Sequence, residues 1–200
     1  MSFRSFAAAS LAATLVAAPA RAQTFDFEST PADTPTPFSI TNGGITATFT
    51  TTSPTAGFAV IDGAGAFQTL TGNFLFAPTS LNPLSVAFSR SLSSVSLNFA
   101  TNGATTLGLR AFLGTTLVGS VSAVGAIPNG FFFPEGVLAF GGATFDNMSI
   151  VTSNPLTQFA IDNVTVRPSV AVVPEPATAA LVGAGVAGLA AVARRRGRPA

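Results

Sequence analysis

Ser94-Val95-Ser96-Leu97-Asn98-Phe99 is the stretch that decides the fold class. Polar and apolar residues alternate strictly along it, and the same period of two recurs over residues 45–50 and 106–111. Successive side chains of a β-strand point to opposite faces of its sheet, so this alternation predicts strands with one buried and one solvated face. Most of the outward positions are Ser or Thr, and Thr is a residue that favours strands.

Turn signals separate these runs at short intervals. They are pairs that contain glycine, at Asn42-Gly43, Asp62-Gly63, Gly72-Asn73, Asn102-Gly103, Asn129-Gly130 and Gly141-Gly142. Ten or so short strands at this spacing predict an all-β fold, an antiparallel β-sandwich of the jelly-roll type, with an up-and-down barrel as the alternative. Turns and prolines come too often for an outer-membrane barrel, whose strands need about nine to eleven residues.

The charges are unevenly distributed along the 200 residues. The formal net charge is +1, but six of the nine arginines lie in the first 22 or the last seven residues. Residues 23–173 hold three arginines against seven acidic residues, a net charge of −4. We therefore expect no nucleic-acid partner.

Cys, His, Trp and Tyr are absent, and every basic residue is Arg. These absences exclude disulfides, zinc–thiolate sites, a Ser-His-Asp triad and a Lys Schiff base. Glycoside hydrolysis is not excluded, because it needs only two suitably spaced carboxylates. Without Trp or Tyr, however, no aromatic side chain has a polar edge to orient a sugar. This absence weakens the case for glycoside hydrolysis and for sugar binding.

The N-terminal residues have the three parts of a secretory signal peptide. Arg4 gives a positive start, residues 6–18 are uncharged and rich in Ala, Leu and Val, and Ala20-Arg21-Ala22 places small residues at the cleavage site. This pattern predicts a signal helix within residues 1–22 and cleavage by signal peptidase between Ala22 and Gln23.

The C-terminal residues form a second tripartite segment. Pro174-Glu175-Pro176 precedes the uncharged residues 177–193, and Arg194-Arg195-Arg196 follows them. Seventeen helical residues reach roughly 25 Å, which is short for a bilayer core. The arginines favour the cytoplasmic side, which would leave the folded domain outside that leaflet.

This segment resembles the PEP-CTERM sorting signal of exopolysaccharide-producing Gram-negative bacteria, over about residues 172–198. The resemblance implies that an exosortase, a membrane-embedded protease, processes a precursor held transiently in the inner membrane. A permanent single-pass anchor is the alternative. The predicted organisation is a signal peptide (1–22), a β-sandwich (23–167), a linker (168–173) and a sorting tail (174–198) that contains a hydrophobic helix at 177–193.

The terminal strands of the domain suggest a metal site. Phe-Asp-Phe-Glu at 25–28 and Ile-Asp-Asn-Val at 161–164 resemble the terminal strands of galactose-binding-like jelly rolls, which include many carbohydrate-binding modules. The resemblance implies Glu28 and Asp162, with Asp26 and Asn163 nearby, as ligands of a structural calcium ion, with backbone carbonyls and water completing the shell. The alternative is a bulge at Asp162-Asn163 and a solvated Glu28.

Phe131-Phe132-Phe133 places at least one aromatic ring away from the core, because neighbouring side chains of an extended chain point in opposite directions. The ring is either an apolar lip for a ligand, partner or lipid, or it packs under a long connection; we favour the second.

Together these features predict an exported, non-catalytic protein of the cell surface or of an exopolysaccharide or biofilm matrix. A carbohydrate-binding module with a defined glycan is the alternative, and a carboxylate-dependent glycoside hydrolase is less favoured.

Overall fold

The computed structural model describes residues 21–52, 57–78, 81–169 and 183–187. The fold is the predicted all-β, antiparallel sandwich of the jelly-roll type, and residues Ala20–Val170 form one compact unit. Its strands are β1 (Gln23–Phe25), β2 (Phe38–Asn42), β3 (Ile45–Thr51), β4 (Ala59–Asp62), β5 (Asn73–Ala77), β6 (Leu84–Thr101), β7 (Thr106–Leu113), β8 (Thr116–Val124), β9 (Glu135–Thr152) and β10 (Phe159–Pro168).

Two long strands, β6 and β9, run through both layers of the sandwich. The first layer has the order β4-β5-β10-β6-β9, with β1 beside β10. The first half of β6 and the second half of β9 continue into the second layer, which has the order β2-β3-β6-β9-β7-β8. The pairing of β6 with β9 shifts register on both sides of Leu92. Such bulges bend a strand, which lets one strand serve two layers.

The alternating residues of the sequence are the ones that build the core. Val95, Leu97 and Phe99 of β6 are buried between the layers, whereas Ser94 and Asn98 of the same strand face outward. Several phenylalanine rings pack with the aliphatic residues; those that are fully buried in this core are Phe25, Phe27, Phe49, Phe58, Phe99, Phe145 and Phe159. Each such ring contributes about 1.5–3 kcal/mol to the free energy of unfolding. This aromatic core needs no disulfide to hold it.

A second, smaller apolar cluster lies on the outer face of the first layer. Residues 63–72, the covering loop, leave the sheet after β4 and return at β5, and the Gly63 N–H donates to the Gly72 carbonyl at 3.1 Å. Leu70 and Phe67 of the loop pack on Phe74, Ala100 and Ala160 of the sheet. The covering loop therefore converts a solvated sheet face into a second core.

The predicted processing segments fall largely outside the described residues. This holds for residues 1–20, for Pro174, Glu175 and Pro176, and for Arg194, Arg195 and Arg196; within the predicted helix 177–193, residues 183–187 are helical. Among the described residues, no helix has the length and apolar character needed to cross a bilayer. Strand β10 reaches Pro168, and the Ser169 N–H donates to the Ser91 carbonyl at 2.9 Å, so pairing continues into the segment predicted as linker.

Candidate functional site

Asp162 is the most deeply buried acid of the predicted calcium site. It lies on β10 with 1% of its surface exposed, directly before a register shift in the pairing with β6. Its Oδ1 accepts the Asn163 N–H at 2.6 Å, and its Oδ2 accepts the Thr71 N–H at 3.2 Å and the Asn163 Nδ2 at 3.0 Å. Asn163 has a φ of 52°, so the strand is bulged at this position.

Glu28 and Asp26 approach the same place from the end of β1. The Glu28 carboxylate lies against Gly72, in the space that a Cβ on this residue would need, and Asp162 bonds to the adjacent Thr71. Asp26 accepts the Glu28 N–H on Oδ1 at 3.3 Å. The exposed Asp26 and Glu28 and the buried Asp162 therefore lie near the second end of the covering loop, and we name these three residues the acidic cluster.

The surroundings of Asp162 shift the pKa of its carboxyl. Burial raises the pKa of its carboxyl to about 6; the N–H groups of Thr71 and Asn163 lower the pKa, and the negative charges of Glu28 and Asp26 raise it further. A carboxyl with this pKa is mostly ionised at pH 7 and half protonated at pH 6.

The acidic cluster has the negative charge that a calcium site needs, but its side chains do not supply enough well-placed oxygen ligands. Calcium takes six to eight oxygens. Within the described ranges, no group of three or more acidic side chains is placed to hold one ion, and Asn163 turns its Nδ2 toward Asp162. Backbone carbonyls and water would have to supply most of the shell.

Glu135 holds the middle of the covering loop. It begins β9 with 5% of its surface exposed; Oε1 accepts the Gln68 N–H at 2.9 Å, and Oε2 accepts the N–H and hydroxyl of Thr69 at 2.7 and 2.6 Å. Asn98 adds a bond from its Nδ2 to the Thr69 carbonyl at 3.0 Å. Glu135 and Asn98 of the sheet thus fix the loop through four hydrogen bonds to Gln68 and Thr69.

The three consecutive phenylalanines divide between packing and exposure. Phe133 packs on Phe67 of the covering loop, with ring centroids 5.4 Å apart. Phe132 is 86% exposed. The interpretation that we favoured, packing under a connection, therefore fits Phe133, while Phe132 has the exposure that the lip interpretation requires.

A small pocket opens beside Phe133 on the outer face of the first layer. Its volume is about 60 Å³, and its lining residues are Phe67, Phe76, Ala100, Thr101, Asn102, Phe133, Gln158, Phe159 and Ala160. We name it the Phe pocket. Its wall is aromatic and its rim carries two side-chain amides, a combination suited to a small neutral ligand.

Two shallow polar depressions lie on the solvated faces of the layers. One, of about 410 Å³, contains Arg167 with Ser94, Ser96 and Thr165. The other, of about 340 Å³, contains Arg110 with Ser120 and Ser122. Each presents hydroxyl groups around one guanidinium, which is a set of donors suited to hydroxylated or anionic ligands.

The predicted signal-cleavage bond lies at the start of the folded domain. Ala22 is exposed, and Gln23 is the first residue of β1, paired with Val166 of β10. The domain thus begins where the mature chain is predicted to begin.

Residues 172–196 match the family described as the PEP-CTERM protein-sorting motif. The C-terminal tail is a PEP-CTERM sorting motif. The match contains the Pro-Glu-Pro box, the apolar segment and the arginine cluster in the order expected from the sequence. A tail of this kind marks an exported protein that an exosortase sorts.

The folded domain has distant likenesses among solved structures. A family 6 carbohydrate-binding module shares 18% identity over 60% of this chain and 87% of its own, with a TM-score of 0.38. A family 11 carbohydrate-binding module of a Clostridium thermocellum cellulase shares 13% over 76% and 97%, with a TM-score of 0.37. A Bacillus thuringiensis insecticidal crystal protein shares 17% over 62% of this chain and 23% of that protein, with a TM-score of 0.38. No curated protein matches the chain.

Sequence reasoning did not identify the Phe pocket or the role of Glu135. Asn102 was assigned only as a turn residue, and Gln158 carries no sequence signal of its own. The sequence holds one signal for Glu135, which is its position directly after Phe131-Phe132-Phe133-Pro134. An acid next to such an apolar run needs a hydrogen-bonding partner if it is buried.

Proposed function

We propose that the protein is an exported, non-catalytic component of the cell surface or the extracellular matrix. The observation that supports export most is the PEP-CTERM motif at residues 172–196, since such a tail serves delivery. The described domain adds a rigid sandwich whose conspicuous buried acids, Glu135 and Asp162, bond to the protein's own backbone.

Maturation would take two cleavages. Signal peptidase would cut between Ala22 and Gln23, leaving a precursor held in the inner membrane by residues 177–193. The exosortase would then act on the tail, with Glu175 and the arginine cluster as recognition elements, and free the domain toward the surface and its exopolysaccharide.

The test follows the precursor in an exosortase-containing Gram-negative host. Deletion of Arg194–Arg198, or Glu175→Ala, is expected to leave full-length precursor in the inner-membrane fraction, whereas the wild type appears shortened in the matrix fraction. Pro199→Ala, outside the matched residues, is the control and should mature normally. Normal maturation of both tail variants would contradict the proposal.

A carbohydrate-binding module with a defined glycan is the second candidate. The Phe pocket and the two serine-lined depressions are the observations that favour it. A pull-down on matrix polysaccharide separates the two candidates: saturable retention that free oligosaccharide competes away indicates a module, and no retention indicates a scaffold. Turnover of the polysaccharide that requires two of the seven domain carboxylates would instead indicate a hydrolase.

The calcium site also stays a proposal, with Glu28 and Asp162 as ligands and Asp26 and Asn163 beside them. The position of Glu28 and Asp26 near Asp162 supports it, because burial and then the negative charges of these two neighbours raise the pKa of Asp162, and a cation would stabilise its ionised form. The melting temperature should rise with added calcium and fall with a chelator, and Glu28→Gln should abolish the difference. A melt that neither calcium nor chelator changes would reject the site.

A further inference from the structure

The Phe pocket has a size that selects its ligand. Its volume of about 60 Å³ is well below that of a cavity that holds a benzene ring, roughly 150 Å³. A sugar ring cannot enter such a space, but a methyl or acetyl group can. The phenylalanine rings of Phe67, Phe76 and Phe133 and the methyl groups of Ala100 and Ala160 form an apolar interior for a methyl group.

The rim of the Phe pocket supplies hydrogen bonds of both kinds. Asn102 and Gln158 are held side by side by the bond from the Asn102 N–H to the Gln158 carbonyl at 2.9 Å. Their side chains make one long contact, from Asn102 Nδ2 to Gln158 Oε1 at 3.4 Å. This leaves a carbonyl oxygen on Asn102 and an amino group on Gln158 to meet a ligand, which is one acceptor and one donor at the mouth of an apolar cavity.

The lining carries no charged side chain. A carboxylate or ammonium group placed there would lose its hydration without a compensating partner, so the pocket favours a neutral group. An acetamido group meets all three conditions: its methyl group is apolar and small, its N–H needs an acceptor, and its carbonyl needs a donor. An O-acetyl ester lacks the donor, and an unmodified hydroxyl lacks the methyl group.

We propose that the Phe pocket binds the acetamido group of an N-acetylated sugar. The methyl group packs against the rings of Phe67, Phe76 and Phe133, and the N–H and carbonyl bond to Asn102 and Gln158. The exposed Phe132 lies next in the chain to Phe133 and offers an apolar surface outside the pocket. The inference rests on the proposed function, because a matrix protein meets polysaccharide in large excess, and it names the class of sugar that this one site would hold.

The test is a titration of the full chain, ¹⁵N-labelled in a phosphocholine detergent that contains no sugar. The probes are tri-N-acetylchitotriose and cellotriose, which share the backbone linkage and differ in the acetamido group. We expect the acetylated trimer to shift the side-chain amide signals of Asn102 and Gln158 and to bind at least tenfold more tightly than cellotriose.

Two variants locate the site. Asn102→Ala combined with Gln158→Ala should weaken binding of the acetylated trimer at least tenfold while leaving the melting temperature within a few degrees of the wild type. Asn129→Ala, an exposed asparagine outside the lining, should bind like the wild type. Equal affinity for the two trimers, no binding of either, or unchanged affinity of the double variant would overturn the proposal. Delivery to the matrix is measured in a separate experiment. A protein that is delivered but binds no acetylated sugar would reject the proposed ligand of the Phe pocket and would leave the proposed function intact.

Discussion

The carboxylate of Glu135, at the start of β9, accepts two hydrogen bonds from Thr69, one from its N–H at 2.7 Å and one from its hydroxyl at 2.6 Å. This contact joins the covering loop to the sheet beneath it. The loop in turn carries Phe67, which forms one wall of the Phe pocket, so a buried acid outside the pocket lining helps to set the shape of the pocket.

Glu135→Gln is expected to destabilise the protein by about 2 kcal/mol. Either orientation of the new amide turns an NH₂ group toward a backbone donor, and a buried donor without an acceptor costs about 1–3 kcal/mol. Chemical denaturation measures the loss, and amide exchange should become faster at Gln68 and Thr69. Asp33→Asn, at an exposed residue, is the control and should change the stability by less than about 0.5 kcal/mol.

Stability should depend on pH through the acidic cluster. The pKa of Asp162 is about 6 in the folded protein and 3.8 in a model carboxyl, so between pH 4 and 6 the folded state binds more protons than the unfolded state. The contribution of Asp162 to stability is therefore largest below pH 4 and is lost as the pH rises through 6.

Glu28→Gln isolates this contribution from those of the other carboxylates. Removal of the Glu28 charge lowers the pKa of Asp162 and should raise the stability at pH 7, relative to that at pH 4, by about 0.5 kcal/mol. Denaturation curves at both pH values, with a chelator present, measure the difference against Asp33→Asn. A variant less stable than the wild type at pH 7 under these conditions would show that the Glu28 charge is not repulsive.

Gly136 and Gly108 allow a comparison of two Gly→Ala substitutions, one without and one with room for a methyl group. A Cβ on Gly136 would lie 2.8 Å from Cζ of the fully buried Phe99, whereas a Cβ on Gly108 would meet nothing closer than the Val151 Cγ2 at 3.4 Å. Gly136→Ala should therefore cost about 1–3 kcal/mol through overpacking. Gly108→Ala should be neutral or stabilise by about 0.5 kcal/mol. Thermal melts distinguish the two, and equal effects would contradict the described packing.

Substitutions of Phe132 and Phe67 should affect different properties, surface attachment in the first case and stability in the second. Phe132→Ser removes an 86% exposed ring and should leave the melting temperature nearly unchanged while it reduces retention on matrix material. Phe67→Ala removes contacts with Phe74 and Phe133 and should cost about 2 kcal/mol. Unchanged retention of Phe132→Ser would end the lip interpretation.

The sequence predicts the fold well because the fold depends on local alternation. Residues 94–99 are half-buried and buried in turn, as their period of two requires, and the predicted turn at Asn102-Gly103 ends β6. The bend of β6 at Leu92 has a sequence signal that the period of two alone does not reveal: large apolar residues fall on even positions up to Leu92 and on odd positions from Val95 onward, so the alternation changes phase where the layer changes.

The candidate sites were less predictable because they depend on contacts between distant residues. Asp162 meets Thr71 across 91 positions, and Gln68 meets Glu135 across 67. The resemblance of the terminal strands placed Glu28 and Asp162 together, but only the path of the covering loop brings Phe67 beside Phe133. No periodicity or spacing in the sequence encodes that path.

The intact mass of the protein recovered from the extracellular matrix tests the central claim most directly. We predict a single product that begins at Gln23 and lacks the arginine cluster, shorter than residues 23–200 at its C-terminus. A matrix-associated protein that retains Met1 or carries the complete tail through Ala200 would contradict delivery by the PEP-CTERM motif.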